Sequence, residues 1–193
     1  MWAELIRDRG GTPVDSLAEA DGAKLAGARF IAVLRRDDGV LPGVAALDPA
    51  QAVAHLTLAD TGPLVTRAAG ANRFLARLQA SQVEPYLLKA GRVGGTDPEA
   101  SIEVKEEHVA AILNAVLTGA VEWERDPDFG YRVAAEVPGI EGSDRFLLIP
   151  RFLYARTERV YEYAALVPEL KRERVAQLEA LDGLDPAIVD AVR

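Results

Sequence analysis

The sequence predicts an α/β fold: a mixed sheet with flanking helices and a helical C-terminal tail, in a single domain over 1–193. Three observations carry that expectation. Arg29-Phe30-Ile31-Ala32-Val33-Leu34 is a continuous apolar run, as strands buried on both faces are. Pro85 to Lys89 is a second such run, which ends in Gly91-Arg92-Val93-Gly94-Gly95 and is followed by a helical pattern from Glu106 to Leu117. The chain of 193 residues is 49% apolar, enough to build a core and inconsistent with a disordered chain.

In chain order, Met1 to Val14 reads as a short helix or frayed start followed by a loop at Gly10-Gly11-Thr12-Pro13. Asp15 to Leu25 has loose helical spacing interrupted by Gly22. After the first apolar strand come Arg35-Arg36-Asp37-Asp38 and the turn Gly39 to Gly43. Such a charged loop either meets a ligand beyond the strand end or is a solvated loop with local ion pairs. Asp48-Pro49-Ala50-Gln51 is a helix start: Asp48 caps, Pro49 takes the first helical position and Gln51 completes a capping box. The helix runs to about Ala59 and buries Ala52, Val53 and Leu56, with His55 as a packed or surface residue. Leu64 to Thr66 reads as a short strand, and Ala71 to Gln82 as an amphipathic helix with Phe74, Leu75 and Leu78 inward.

Beyond the glycines, Ser101 to Val104 alternates like a strand, and Gly119 is the stop signal of the Glu106 helix. His108, beside Glu106 and Glu107, is read as part of a solvated helical start. Val121 to Arg125 and Tyr131 to Ala134 are expected to be two strands joined by the turn Asp126 to Gly130. Arg145 to Ile149 reads as a short apolar strand or approach segment stopped by Pro150. The tail gives a helix from Arg156 to Val167 and a second from Pro168 to Leu181, stopped by Gly183. Asp185-Pro186 caps a last short one. Tyr154, Tyr161 and Tyr163 are either boundary packing or a partner surface, with packing preferred.

Composition narrows the function. A net charge of −8 disfavours binding to nucleic acid or to an anionic membrane face. No cysteine means no disulfide, thiolate metal site or cysteine nucleophile, and two histidines argue against a multi-histidine metal site. There is no apolar run of transmembrane length, and Met1-Trp2-Ala3-Glu4 lacks the pattern of a signal peptide. The expectation is a cytoplasmic protein. The glycine stretch lets backbone approach a ligand, because glycine has no Cβ. It matches neither G-x-G-x-x-G nor G-x-x-x-x-G-K-[ST], so on its own a plain turn is the preferred reading.

A series of islands resembles the C-terminal lobe of ATP-dependent phosphoenolpyruvate carboxykinases. Phe30 to Leu34 with Gly39-Val40-Leu41-Pro42 is similar to that family's apolar strand and F-G-V-L-P-P. Asp48 to Ala52 resembles T-P-E-Q-A, and Gly70-Ala71 with Phe74 to Leu78 resembles F-G-A-P-F and its helix. Leu87 to Gly95 resembles L-V-N-T-G-W-T-G-G, and Ile112 to Gly119 resembles I-I-D-A-I-L-x-G. Asp126 to Gly130, Val137-Pro138-Gly139 and Leu148 to Arg151 resemble D-P-x-F-G, V-P-G and L-N-P-R. On this resemblance, 29–155 is an α/β lobe, 156–193 its C-terminal helices, and 1–28 a poorly matched N-terminal segment.

The resemblance implies ATP as cofactor, with Gly91, Arg92, Gly94 and Gly95 near the nucleotide and Ile102 and Lys105 as counterparts of its contacts. The family converts oxaloacetate and ATP to phosphoenolpyruvate, CO₂ and ADP with magnesium and manganese. Its P-loop, acidic metal motif and metal-binding Lys and His have no match here, so no metal site is expected in this chain. Arg92 and Val93 stand where the family has Trp and Thr. The expectation is therefore a divergent, truncated or split carboxykinase-like lobe, inactive alone. Its partner would be an N-terminal catalytic portion or an upstream-encoded subunit. The rival is a non-catalytic module for nucleotide sensing or protein association on the same fold. An unrelated small enzyme built on Arg35, Arg36, Asp37 and Asp38 ranks last, for want of a base–nucleophile pair.

Overall fold

The computed structural model describes residues 3–7, 10–14, 30–36, 39–60 and 64–193. It is an α/β structure that divides into two compact units. The first comprises Met1–Leu34, Leu47–Tyr86 and Glu169–Arg193; the second comprises Arg35–Ala46 and Leu87–Pro168. The Asp15 to Leu25 pattern, Asp37-Asp38 and Gly62-Pro63 lie outside the described residues.

In the first unit, β1 (Ala3–Arg7) pairs antiparallel with both β2 (Gly10–Val14) and β3 (Phe30–Arg36). The expected helix or frayed start with a loop is thus corrected to a hairpin. Pro13 sits opposite Glu4 in β2, which pairs with β1 alone; an edge strand tolerates a residue that cannot donate to the ladder. Helix α1 (Pro49–Ala59) begins as its sequence requires. The Gln51 amide donates to Asp48 Oδ1 at 2.8 Å and the Asp48 amide to Gln51 Oε1 at 3.0 Å. Ala52, Val53 and Leu56 are buried, and so is His55.

Helix α2 (Leu64–Gln79) starts at Leu64, where a strand is expected. A three-residue apolar run has no period to read, and the helical face of Phe74, Leu75 and Leu78 extends back through Ala71 and Ala68. Asn72 fastens the C-terminal segment to this helix: its Nδ2 donates to Gly183 O at 2.8 Å and its Oδ1 accepts the Asp185 amide at 2.8 Å. Asp185 in turn caps α6 (Pro186–Asp190) by accepting the Ala187 amide at 2.9 Å.

In the second unit, β5 (Glu84–Val93, from Leu87 onward), β4 (Val44–Ala46), β8 (Arg132–Glu136) and β7 (Glu122–Arg125) lie side by side in that order. The β4–β8 and β8–β7 pairings are antiparallel, and β6 (Ile102–Val104) pairs antiparallel with the end of β5. The turn at 126–130 is the one the sequence marks. The Asp126 carboxylate accepts the Phe129 amide at 2.7 Å, and Gly130 takes φ 71°. Helix α3 (Glu106–Thr118) ends at Gly119, in the left-handed region at φ 70°.

Three expectations are corrected in this unit. His108 is not part of a solvated start but is 4% exposed. Its Nδ1 accepts the Lys105 amide at 3.2 Å, the place a Glu or Gln takes in a capping box, and its Nε2 meets Asp144 Oδ2 at 3.2 Å. The segment expected as a strand over Arg145 to Ile149 is a 3₁₀ turn, Asp144–Leu147, with Leu147, Leu148 and Ile149 all buried; alternation cannot be read from a run that is buried all round. Pro150 then opens helix α4 (Pro150–Arg156) instead of stopping a strand, since its fixed φ suits a first helical position. In the tail, helix α5 (Val160–Glu179) passes through Pro168, where two helices are expected. The second unit ends at Pro168 and the last segment of the first begins at Glu169. Tyr154 and Tyr163 pack together with ring centroids 5.2 Å apart, whereas Tyr161 is 91% exposed. Among the described residues no helix is long and apolar enough to cross a membrane.

Candidate functional site

The glycine stretch does not turn where the sequence suggests. Gly91, Arg92 and Val93 are the last residues of β5 and pair with Val104, Glu103 and Ile102 of β6. The chain leaves the ladder at Gly94 and Gly95, with φ 97° and 104°. The Gly94 amide donates to Gly39 O at 3.3 Å. Arg92 folds along the loop: Nε donates to Ser101 Oγ at 2.8 Å, Nη2 approaches Pro98 O and Ser101 O at 3.4 Å, and Nη1 lies 3.8 Å from Glu103. Ser101 Oγ donates onward to Asp97 O. Ile102 is half-buried in β6, and Lys105 is exposed, its Nζ 3.4 Å from Glu107. The fold thus gathers Gly91, Arg92, Gly94, Gly95 and Ile102 around one loop, with Lys105 at the head of α3.

The residue that closes this loop is one the sequence does not announce. Arg159 Nη2 donates to Gly94 O at 2.6 Å and to Ala100 O at 2.7 Å, joining the two ends of the loop. Its guanidinium lies 4.5 Å from the centroid of Tyr154, and Nη1 pairs with Glu162 at 3.3 Å. Its position comes from the end of α4. The Arg159 amide donates to Tyr154 O at 2.8 Å and the Glu158 amide to Ala155 O at 3.2 Å, the two bonds of a Schellman motif. Glu158 supplies the left-handed residue at φ 58°, a place that glycine ordinarily fills. Glu158→Gly is therefore expected to stabilise the fold by up to about 1 kcal/mol, since left-handed strain is relieved while the freer unfolded chain offsets part of it. Chemical denaturation reads the change; a loss of stability would show that Glu158 is held there by contacts of its own.

A second polar cluster lies at the 126–130 turn. The Tyr163 hydroxyl donates to Asp128 Oδ2 at 2.8 Å; burial first, then that carboxylate, push its pKa well up, so it stays a neutral donor. Burial also raises Asp126 above the usual carboxylate range, against the Phe129 amide bond, which lowers it. A raised folded-state pKa means that this group favours the fold when protonated and loses that contribution as pH rises through it. Asp126→Asn keeps an acceptor for Phe129 and removes the buried charge. The thermal midpoint of D126N is expected to exceed that of the parent at pH 7, with the gap closing as pH falls through the raised folded-state pKa and closed once pH reaches the ordinary aspartate range. A gap independent of pH would mean that the carboxylate charge is not what the turn resists.

No model of a protein family matches the chain. It aligns with the curated phosphoenolpyruvate carboxykinase (ATP) of Novosphingobium aromaticivorans, 28% identical over 214 residues that cover 95% of this chain. The chain resembles the ATP-dependent phosphoenolpyruvate carboxykinases. The enzymes of the same name from Brucella melitensis and Brucella suis are also 28% identical, over 144 residues and 61% of this chain. The chain spans about two fifths (39%) of the Novosphingobium relative and about a quarter (26%) of each Brucella one.

The name of these relatives carries ATP, so the loop of this carboxykinase-like chain can be tested for fit. A triphosphate needs N–H groups and cations turned towards it. Here the Gly94 amide is bonded to Gly39, Arg159 holds two carbonyls, and Arg92 and Lys105 lie against Glu103 and Glu107. As arranged, these residues do not make a phosphate cradle. Among the described residues no group of three or more His, Asp or Glu is placed to hold a metal ion.

Proposed function

We propose that this chain is a divergent carboxykinase-like lobe, of the kind that forms the C-terminal part of those enzymes, and that it works with a portion supplying phosphate and metal chemistry. The observation that supports this is the alignment: nearly the whole chain matches, yet it spans about two fifths of the Novosphingobium relative. The sequence contains no G-x-x-x-x-G-K-[ST], and phosphoryl transfer draws most of its catalysis from phosphate cradles and metal charge. On this proposal Gly91, Arg92, Gly94, Gly95, Ile102 and Lys105 form a wall for the nucleotide and give it shape, while the charged contacts come from the other portion. Arg159 keeps that wall rigid.

The test is an assay of the purified 193-residue chain with oxaloacetate, ATP, magnesium and manganese, beside calorimetric titrations of ATP and ADP. The expected result is no formation of phosphoenolpyruvate above buffer and no saturable heat with either nucleotide. Turnover by this chain alone would overturn the proposal, because the chemistry would then reside within it. Adding a P-loop-bearing carboxykinase fragment that lacks this lobe is expected to bring nucleotide-dependent turnover.

A further inference from the structure

Helix α3 starts from a lysine, Lys105, whose side chain has no acceptor for the amides that a helix leaves open at its start. The ring of His108 closes this end instead. Its Nδ1 accepts the Lys105 amide at 3.2 Å, and its Nε2 lies 3.2 Å from Asp144 Oδ2 on the 3₁₀ turn. The two contacts together fix the state of the ring. An amide only donates, so Nδ1 carries a lone pair; an ionised carboxylate only accepts, so Nε2 carries the hydrogen. The neutral imidazole with its hydrogen on Nε2 is the one form that satisfies both.

A second proton therefore has one place to go, Nδ1. There it sets N–H against N–H at the Lys105 amide, while the contact with Asp144 becomes an ion pair. The ring is 4% exposed, so little solvent reaches it to stand in for a lost partner. The charged groups on the surrounding elements offer Nδ1 no acceptor. In the first turn of α3, Glu107 lies 3.4 Å from Lys105 Nζ, and Glu106 is exposed. On β6, which packs against the 3₁₀ turn, Glu103 lies 3.8 Å from Arg92. Beside Asp144, Arg145 lies over the Phe146 ring, and Glu141 before it is exposed. Among the described residues Asp144 alone bonds the ring through a charged side chain.

The amide at stake sits at a junction. Lys105 follows Val104, the residue of β6 that pairs with Gly91 of the glycine stretch. The bond to Nδ1 thus holds the passage from β6 into α3, one residue beyond the ladder that forms one side of the loop.

We propose that His108 is a proton-operated clasp. Neutral, it ties the Lys105 amide to Asp144 and closes the start of α3 onto the 3₁₀ turn. Protonated, it stays on Asp144 and releases the amide, so that acid loosens the β6–α3 junction and the side of the glycine loop next to it. The device rests on the two bonds of one ring and stands apart from the carboxykinase-like reading.

The experiment is a titration of the ¹⁵N-labelled whole chain from about pH 8 to about pH 5, the range in which imidazoles change charge. NMR reads the ring nitrogens and the exchange of the backbone amides. At the upper end His108 is expected as the Nε2–H tautomer. As the ring gains its second proton, the protection factor of the Lys105 amide is expected to fall about fivefold, the loss of one capping bond, with the midpoint of the ring signals. Protection at Ile112 and Ala115, inside α3, is expected to stay constant. His108→Gln keeps an acceptor at the capping position and cannot titrate, so Lys105 protection in H108Q is expected to be independent of pH. The ring signals of the parent carry the test by themselves if that variant folds poorly. An Nδ1–H tautomer at the upper end, a ring that stays neutral throughout, Lys105 protection that ignores the titration of the ring, or a response that survives in H108Q would each overturn the proposal.

Discussion

Arg159→Ala is expected to lower the stability of the fold by about 3 kcal/mol. Two bonds from one guanidinium to Gly94 O and Ala100 O, at 2.6 and 2.7 Å, are charge-assisted, and such bonds contribute about 1.5–3 kcal/mol each. The side chain is about one fifth exposed, which screens part of that, and the Glu162 pair adds little for the same reason. Stacking on Tyr154 contributes on the order of 0.5–1 kcal/mol. Arg159→Lys keeps the charge but not the fork, so it should recover less than half of the loss. A urea titration reads the change as a lower midpoint at constant slope, and amide exchange should quicken first in the β5–β6 pair that Arg159 closes. A loss below about 1 kcal/mol would place Arg159 with ordinary surface ion pairs.

How far the sequence carries depends on whether a signal is local. The start of α1 is legible because Asp48, Pro49 and Gln51 satisfy each other's amides within four residues. Gly119 and Gly183 are legible because left-handed residues are hard to supply otherwise. The strand at Phe30 and the helix at Glu106 are legible from period and length. What fails is short or depends on distant partners. Leu64 to Thr66 and Arg145 to Ile149 are too brief to show a period. The strand at Gly10 to Val14 contradicts propensity, and only pairing with β1 overrides it. His108 becomes buried through Asp144, 36 positions away, and Pro168 is carried within a helix against its own preference. In the glycine loop the sequence identifies the residues that gather but not the one that closes them. Arg159 is 65 positions from Gly94, and its helix ends on a glutamate where a glycine would have marked the cap.

Gly94→Ala is expected to cost about as much as losing Arg159, for a different reason. At φ 97° an L side chain is strained wherever it stands, by roughly 1–2 kcal/mol. A Cβ here would also lie 2.6 Å from Leu153 Cδ2 and 3.2 Å from Ala100 O, the carbonyl that Arg159 holds. Leu153 is buried, so its side chain shifts only by disturbing α4, and overpacking of this kind costs about 1–3 kcal/mol. The total is on the order of 3 kcal/mol. Gly119→Ala separates the two parts, since that position has φ 70° and nothing within 4 Å of a new Cβ; it should show the strain alone. Leu153→Ala separates them from the other side. It leaves a cavity by itself but makes room for the alanine at 94, so G94A and L153A should cost less together than their sum, by about 1–2 kcal/mol. Strict additivity would mean that Gly94 is required for its backbone angle only, and that the approach of α4 plays no part in shaping the loop.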